Sequence, residues 1–389
     1  MINGARVTIV KKKTEDNRME KLKKEITALP EKILPYTFYR YIMILYQKII
    51  SKDREWSYEK EYFLRWRPFS KKKYCIIRVE YPVHSVFTAA KRWIFAAEYA
   101  RHNGMYPIMD MEWRADFKKG ILDGENVWES VFYQKKNRDV LKENATIFVC
   151  RIDEGASWCL PETCVDINND PTDGNIHATE ENWRDYYKNI HKYVKKYWKF
   201  NQSIIHETKR KSAEMFKQKE MILGVALREA FSEEFYVLLR NMGQRKVYRN
   251  HPQGPDVNEV LDIVEDCLRQ WNCNKIFVAS LYSDSIKKFE ERFPGKVIYC
   301  ERQRVTMAEN AAQINSRNKF IDDSMYEDQE HRDKTRREGI EYAQETILLS
   351  KCTYLIGTKS GQTLAALSLN GGRYKDIKVL EDKRHIERY

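Results

Sequence analysis

A chain of 389 residues, 42% hydrophobic and 13% aromatic, is long enough for two ordinary domains and apolar enough to bury real cores, which excludes a disordered polymer. Lys and Arg outnumber Asp and Glu by 69 to 57; this net charge of +12 either draws the protein toward nucleotide phosphates, acidic lipid or nucleic acid, or is a surplus spread over a large surface. No run reaches the ~18 apolar residues that span a bilayer, and the polar, charged start reads as no secretory leader.

Residues 1–70 read as a helical, basic extension. Lys11, Lys12, Lys13, Lys21, Lys23 and Lys24 precede an aromatic-rich apolar stretch at 33–50, broken by Pro35, Arg40, Gln47 and Lys48. Such a stretch suits a helix packed on its own core or one lying on anionic lipid, so peripheral membrane contact is expected, if anywhere, through residues 11–50. Residues 74–81 are rich in β-branched side chains and read as a strand stopped by Pro82. The Ala-rich segment 86–103 has apolar residues three and four apart and ends at Gly104, a helix with its terminator. A short strand follows, Tyr106-Pro-Ile-Met-Asp110, and strand–helix–strand opens an α/β layer structure. Trp113 and Trp128 suit either a sugar-stacking surface or the core.

Residues 150–180 are rich in turn formers. Cys159, Cys164 and His177 there fit no standard zinc spacing, so no metal is expected. The eight cysteines, scattered and several in apolar runs, read as reduced core residues. A long helical stretch at 180–218 keeps Trp183, Tyr187, Ile190, Val194 and Tyr197 at helical spacing. The expected organisation is an extension (1–70), an N-terminal α/β lobe with a connecting helix (71–218) and a C-terminal Rossmann-like lobe (219–389).

The last of these has the clearest pattern. Residues 221–228 form a near-continuous apolar run, as in a strand buried on both faces. Strands are also expected at 275–280, 296–300 and 354–358, and helices at 256–271, 283–293, 338–350 and 360–370. Asp256 is placed to cap its helix, and Gly371 and Gly372 to close the last. Alternating strands and helices give a parallel sheet, which binds ligands beyond the carboxyl ends of its strands. Arg228 stands at one such end. At another, Gly357-Thr-Lys-Ser-Gly-Gln362 leads into a helix whose free N–H groups and hydroxyls suit a phosphate. The charged segment 301–338 reads as a lid, an acceptor loop or a solvated insertion.

The order of these elements resembles the α-1,6-fucosyltransferase-like glycosyltransferases, the group containing the rhizobial nodulation and animal core fucosyltransferases, and above all their relatives in bacterial polysaccharide clusters. The residues that carry it are Ile222-Leu-Gly-Val-Ala-Leu-Arg228, His251-Pro, 256–271, Ile276-Phe-Val-Ala-Ser280, 348–360 and 365–371, with Tyr106-Pro-Ile-Met-Asp110 and Asn126-Val-Trp-Glu129 earlier. The resemblance spans roughly 73–375. It implies a GT-B-like fold of two facing lobes, with GDP-fucose or another GDP-sugar as co-substrate in the C-terminal one and no metal or other cofactor. It also implies a glycan or lipid-linked glycan acceptor in surface polysaccharide synthesis and, together with the basic N-terminus, a setting in the bacterial cytoplasm at the inner face of the membrane. Arg228 falls on the family arginine that grips the diphosphate. His251, Ser280, Tyr282, Glu345, Thr358, Ser360, Gly361 and Gln362 fall on or beside its donor contacts. The sequence departs from the family at Ala226, where a histidine is usual, at Glu229-Ala230-Phe231, and at Leu281-Tyr282, where acids are usual.

The expected reaction is inverting glycosyl transfer, with Arg228, Asp110 and Glu229 as candidate catalytic residues and Glu112 and His251 as further candidate bases. The rival reading is a non-catalytic nucleotide- or glycan-binding relative, favoured by the missing acids. Nucleic-acid binding ranks last, because no helix-turn-helix, zinc-finger or RNA-binding signature accompanies the charge.

Overall fold

The structure is a computed structural model that describes residues 61–81, 86–118, 122, 124–151, 183–217, 220–227, 255–306, 309, 327–358 and 360–380. The chain divides into two compact units, Met1–Val79 with Ala96–Asp110 and Lys136–Trp158, and Glu80–Phe95 with Met111–Lys135 and Cys159–Tyr389. The α/β class expected from the sequence is the class observed.

Strands β1 (Glu61–Arg65), β2 (Lys73–Tyr81), β3 (Tyr106–Trp113) and β4 (Thr146–Arg151) form one sheet in the order β1-β4-β2-β3. Helix α1 (Val86–His102) links β2 to β3 and ends at Gly104, whose φ of +69° suits a residue without Cβ. β2 and β4 are parallel, Lys73 opposite Thr146 and Arg78 opposite Arg151, and both are buried nearly throughout. That explains their continuous apolar runs. β1 corrects the helical reading of 1–70 at its C-terminal end. Glu-Tyr-Phe-Leu-Arg pairs antiparallel with β4, Phe63 packs on Phe148 with ring centroids 5.1 Å apart, and Arg65 donates to the carbonyls of Leu141 and Glu143. Residues 11–50 lie outside the described residues.

The second sheet holds β5 (Ile222–Ala226), β6 (Lys275–Ala279), β7 (Val297–Ile298), β8 (Tyr354–Thr358) and β9 (Asp376–Leu380), all parallel, in the order β7-β6-β5-β8-β9. Alternate residues of β5 face opposite layers. Leu223 and Val225 pack in a core that includes Val260 and Val264 of α6 (Val257–Trp271) and Phe289 of α7 (Ser283–Arg292). Ile222 and Ala226 pack in the other. That core includes Trp183 and Tyr187 of α4 (Trp183–Tyr197), Leu348 and Leu349 of α8 (Gln329–Leu349) and Ala366 and Leu367 of α9 (Gly361–Asn370). As expected, Asp256 caps α6, accepting from the Asn258 N–H at 2.8 Å.

Two long helices differ from expectation. The 180–218 stretch is α4 followed by α5 (Gln202–Met215). Between them Lys199 and Asn201 hydrogen-bond the backbone of Tyr133 and Val131, and this bridge pulls the chain out of helix. α8 starts nine residues before the expected 338. Its charged first half is anchored by Arg332 on Asp116 (2.9 Å) and Arg336 on Glu125 (2.6 Å). Trp113 and Trp128 are core, the latter stacked on Phe132 at 4.2 Å, which removes the sugar-stacking reading. Among the described cysteines, Cys75, Cys150, Cys267, Cys273, Cys300 and Cys352 are buried free thiols. No described helix is long and apolar enough to cross a membrane.

Candidate functional site

In the second sheet β5 comes first in sequence. β6 and β7 lie on one side of it, β8 and β9 on the other. The chain therefore reverses its direction of winding between β5 and β8, and in open parallel sheets a crevice forms at the carboxyl edge of such a switch point. The edge is defined by register: Ala226 ends β5 opposite Ala279 of β6 and Gly357 of β8. The β5 exit continues to Leu227, whose N–H donates to the Ala279 carbonyl at 2.9 Å. Arg228, Glu229 and His251 follow and lie outside the described residues, as do Ala230 and Phe231.

On the β8 side, Ser360 caps α9: its Oγ accepts from the Thr363 N–H at 3.3 Å and lies 3.2 Å from the Thr363 Oγ1. The first N–H groups of α9, from Gly361 onward, sit at the positive end of the helix. Thr358, at the end of β8, and Gln362, in the first turn of α9, are both buried, and among the described residues the Thr358 Oγ1 and Gln362 Nε2 have no hydrogen-bond partner. Partnerless buried polar atoms are uncommon because each costs about 1–3 kcal/mol, and here two occur on one strand-to-helix turn. A ligand carrying oxygen atoms is the simplest way to satisfy them.

The turn is tight enough to demand glycine at 357. A Cβ there would stand 2.6 Å from the Thr363 Oγ1 and 2.7 Å from its Cγ2. Gly357→Ala is expected to cost about 1–3 kcal/mol, with thermal unfolding as the measurement, and Thr363→Ala in the same chain is expected to recover most of it. An unchanged midpoint in the single variant would contradict this packing.

On the β6 side, the Ser280 Oγ accepts from the Tyr282 N–H at 2.9 Å, and Tyr282 forms a parallel bridge with Val305. The Ser280 carbonyl accepts from Arg302 at 2.9 Å and Arg304 at 3.2 Å. Both guanidinium groups also reach the Glu345 Oε1. Arg304 hydrogen-bonds it at 3.0 Å, and Arg302 forms an ion pair at 3.3 Å without hydrogen-bond alignment. All three side chains are buried. Burial pushes the Glu345 carboxyl up to about 7, with the two arginines pulling the other way. Burial likewise lowers Arg304, opposed by Glu345.

Ser280, Tyr282 and Glu345 are thus brought together at the end of β6, and Thr358, Ser360, Gly361 and Gln362 share the end of β8, on the other side of β5. Arg302 and Arg304 hold the first group together, yet sequence reasoning left them in a solvated or lid-like segment. The available signal was an Arg-x-Arg directly after a strand in a parallel sheet, the place where side chains reach the ligand edge. Leu281 is 46% exposed and Tyr282 is buried, so neither departure from the family pattern supplies a carboxylate.

Asp110 belongs to the first unit and Glu112 to the second, and both are fully buried. The Asp110 Oδ1 accepts from Arg138 at 2.5 and 2.7 Å, and Oδ2 lies 3.3 Å from the Arg78 Nε. Burial raises the Asp110 carboxyl, against the pull of Arg138 and Arg78.

The sequence matches no protein-family model and no curated protein sequence. Among solved structures the chain is similar to NodZ alpha-1,6-fucosyltransferase soaked with GDP-fucose, at 12% identity over 76% of this chain and 92% of that one, with a TM-score of 0.38. Fucosyltransferase NodZ from Bradyrhizobium gives 14% identity over 76% and 92%, with a TM-score of 0.35. POFUT1 in complex with GDP gives 9% over 80% and 99%, with a TM-score of 0.39.

Proposed function

We propose that the protein is a glycosyltransferase that moves a sugar, fucose or another hexose, from a GDP-linked donor to a glycan acceptor, with inversion and without a metal, in the synthesis of a bacterial surface polysaccharide. The observation that carries the reading is the switch-point edge of the second unit. There the Thr358 Oγ1 and Gln362 Nε2, without a hydrogen-bond partner among the described residues, adjoin the N-terminus of α9, and in the sequence Arg228 follows β5 by two residues.

In this scheme the acceptor hydroxyl attacks the anomeric carbon as the bond from that carbon to the diphosphate oxygen breaks. The negative charge that collects on the leaving diphosphate is met by Arg228 and by the N–H groups of Gly361 and Gln362, which stabilise the transition state more than the ground state. The hydroxyl proton passes to a general base. Asp110 is engaged by two arginines and Glu112 is sealed from solvent, so the role falls to Glu229 or His251. Ser280, Tyr282 and Glu345 then border the nucleoside end of the donor.

Release of nucleoside diphosphate from a panel of GDP-, UDP- and CDP-sugars, with chelator present and a mixed glycan acceptor, tests this. A GDP-sugar is expected to be consumed, and Arg228→Ala to slow turnover about 10²–10³-fold. No turnover of any donor would overturn the enzyme reading. It would favour the second one, a binding protein that kept the fold, which the buried Tyr282 in place of an acid supports.

A further inference from the structure

Helix α4 uses one face fully: Trp183, Tyr187, Ile190, Val194 and Tyr197 are buried. On the other face Lys188, Lys192, Lys195 and Lys196 are exposed, and exposed Lys199 follows directly. At 3.6 residues per turn, the four lysines of the helix fall within about a third of its circumference. Exposed Arg373 joins them from beyond α9, 3.3 Å from the Nε2 of His191 on α4.

Several other cations on the second unit's helices are paired with carboxylates. Arg210 of α5 bridges Glu207 and Glu214, Arg269 of α6 pairs with Asp266, and Arg292 of α7 pairs with Asp262 and Glu265. Among the described residues, Lys188, Lys192, Lys195 and Lys199 pair with no carboxylate. Lys192 donates to the Asn189 side chain at 3.2 Å, and Lys196 lies 4.9 Å from the ring centroid of Tyr197. Asp185 is the one acid in α4. Lys188, Lys192 and Lys196 stand four apart on the helix, a spacing at which like charges repel. The helix therefore carries a charge pattern that weakens it.

We propose that this lysine face of α4 is a docking surface for an anionic lipid bilayer. The apolar face of the helix is committed to the core, so contact is through charge alone, along about 12 Å of helix from Lys188 to Lys196. Lysines act as point charges suited to a diffuse field of headgroups, whereas recognition of individual phosphates favours the planar fork of arginine. Each lysine near an acidic surface adds to the attraction, so the stripe suits salt-sensitive attachment.

Flotation of the full chain with phosphatidylcholine vesicles, with and without about 30% phosphatidylglycerol, tests the proposal. The wild type is expected to float only with the anionic vesicles and to be released by salt. A variant with Lys188, Lys192, Lys195, Lys196 and Lys199 all changed to Gln is expected to bind at least about tenfold more weakly. Because repulsion is relieved, its thermal midpoint should hold or rise, which separates lost binding from lost folding. A charge-matched control with Lys209, Lys287, Lys288, Lys296 and Lys351 changed to Gln should keep most of the binding, and Lys192→Gln with Lys195→Gln gives a milder second variant. The proposal is overturned if the stripe variant floats as the wild type does, if the control loses as much, or if the wild type binds duplex DNA and not the vesicles.

Discussion

Glu345→Ala is expected to destabilise the second unit by about 3–5 kcal/mol, read as a shift in denaturant midpoint. The reason is not the attraction that Glu345 supplies but what its loss leaves behind. Arg302 and Arg304 are buried, with side chains 6% and 8% exposed, and Glu345 is the only carboxylate they are seen to pair with among the described residues. Removing it strands two guanidinium groups with only the Ser280 carbonyl in common.

The same carboxyl gives a pH signature. Its folded value, about 7, lies above its ordinary 4.5 because burial penalises the charge. The folded chain therefore keeps a proton that the unfolded chain releases near 4.5. This contribution to stability is full below that value, declines as pH rises and is gone above about 7. Glu345→Gln, which cannot titrate, should flatten that part of the profile of midpoint against pH. An unchanged slope in the variant would place the titration elsewhere, and a loss below about 1 kcal/mol in Glu345→Ala would mean that the arginines find water or other partners.

The second large effect is expected in the first unit. Asp110→Ala should also cost about 3–5 kcal/mol, because Asp110 is fully buried between Arg78 and Arg138 and those two side chains are themselves mostly sealed. Urea titration followed by circular dichroism would report it. A change of less than about 1 kcal/mol would show that the pair is no structural clamp and would return Asp110 to the list of candidate bases.

How much of this is legible in the sequence depends on burial. Apolar runs announce many strands: β5, β6 and β8 are legible as such, β2, β3 and β7 from their β-branched and apolar residues, and α1, α6 and α9 with their caps. The buried β4 and the edge strands β1 and β9 are not. β9 reads Asp-Ile-Lys-Val-Leu and is mostly exposed, and β1 is a five-residue edge strand in a basic stretch. The first half of α8 was hidden for a related reason. Its charges pair with Asp116 and Glu125, over 200 positions away, and local periodicity contains no trace of such pairs.

The site divides in the same way. Ser360 as a cap and Gly357 as a tight position follow from local chemistry, so the β8 turn was visible. The Arg302–Glu345–Arg304 cluster was not, because a buried ion pair between distant segments looks in sequence like three ordinary surface charges. Asp110 was misleading in the opposite sense: an acid at a strand end suggests chemistry, and only the fold reveals the two arginines that occupy it.

Calorimetric titration of the wild type and of Arg228→Ala with GDP, UDP and CDP, in chelator, tests the central claim most directly. The account predicts metal-free binding of GDP that weakens at least about tenfold in the variant, since a charge-assisted contact to phosphate contributes about 1.5–3 kcal/mol. Binding of none of the three nucleotides by the wild type would contradict it.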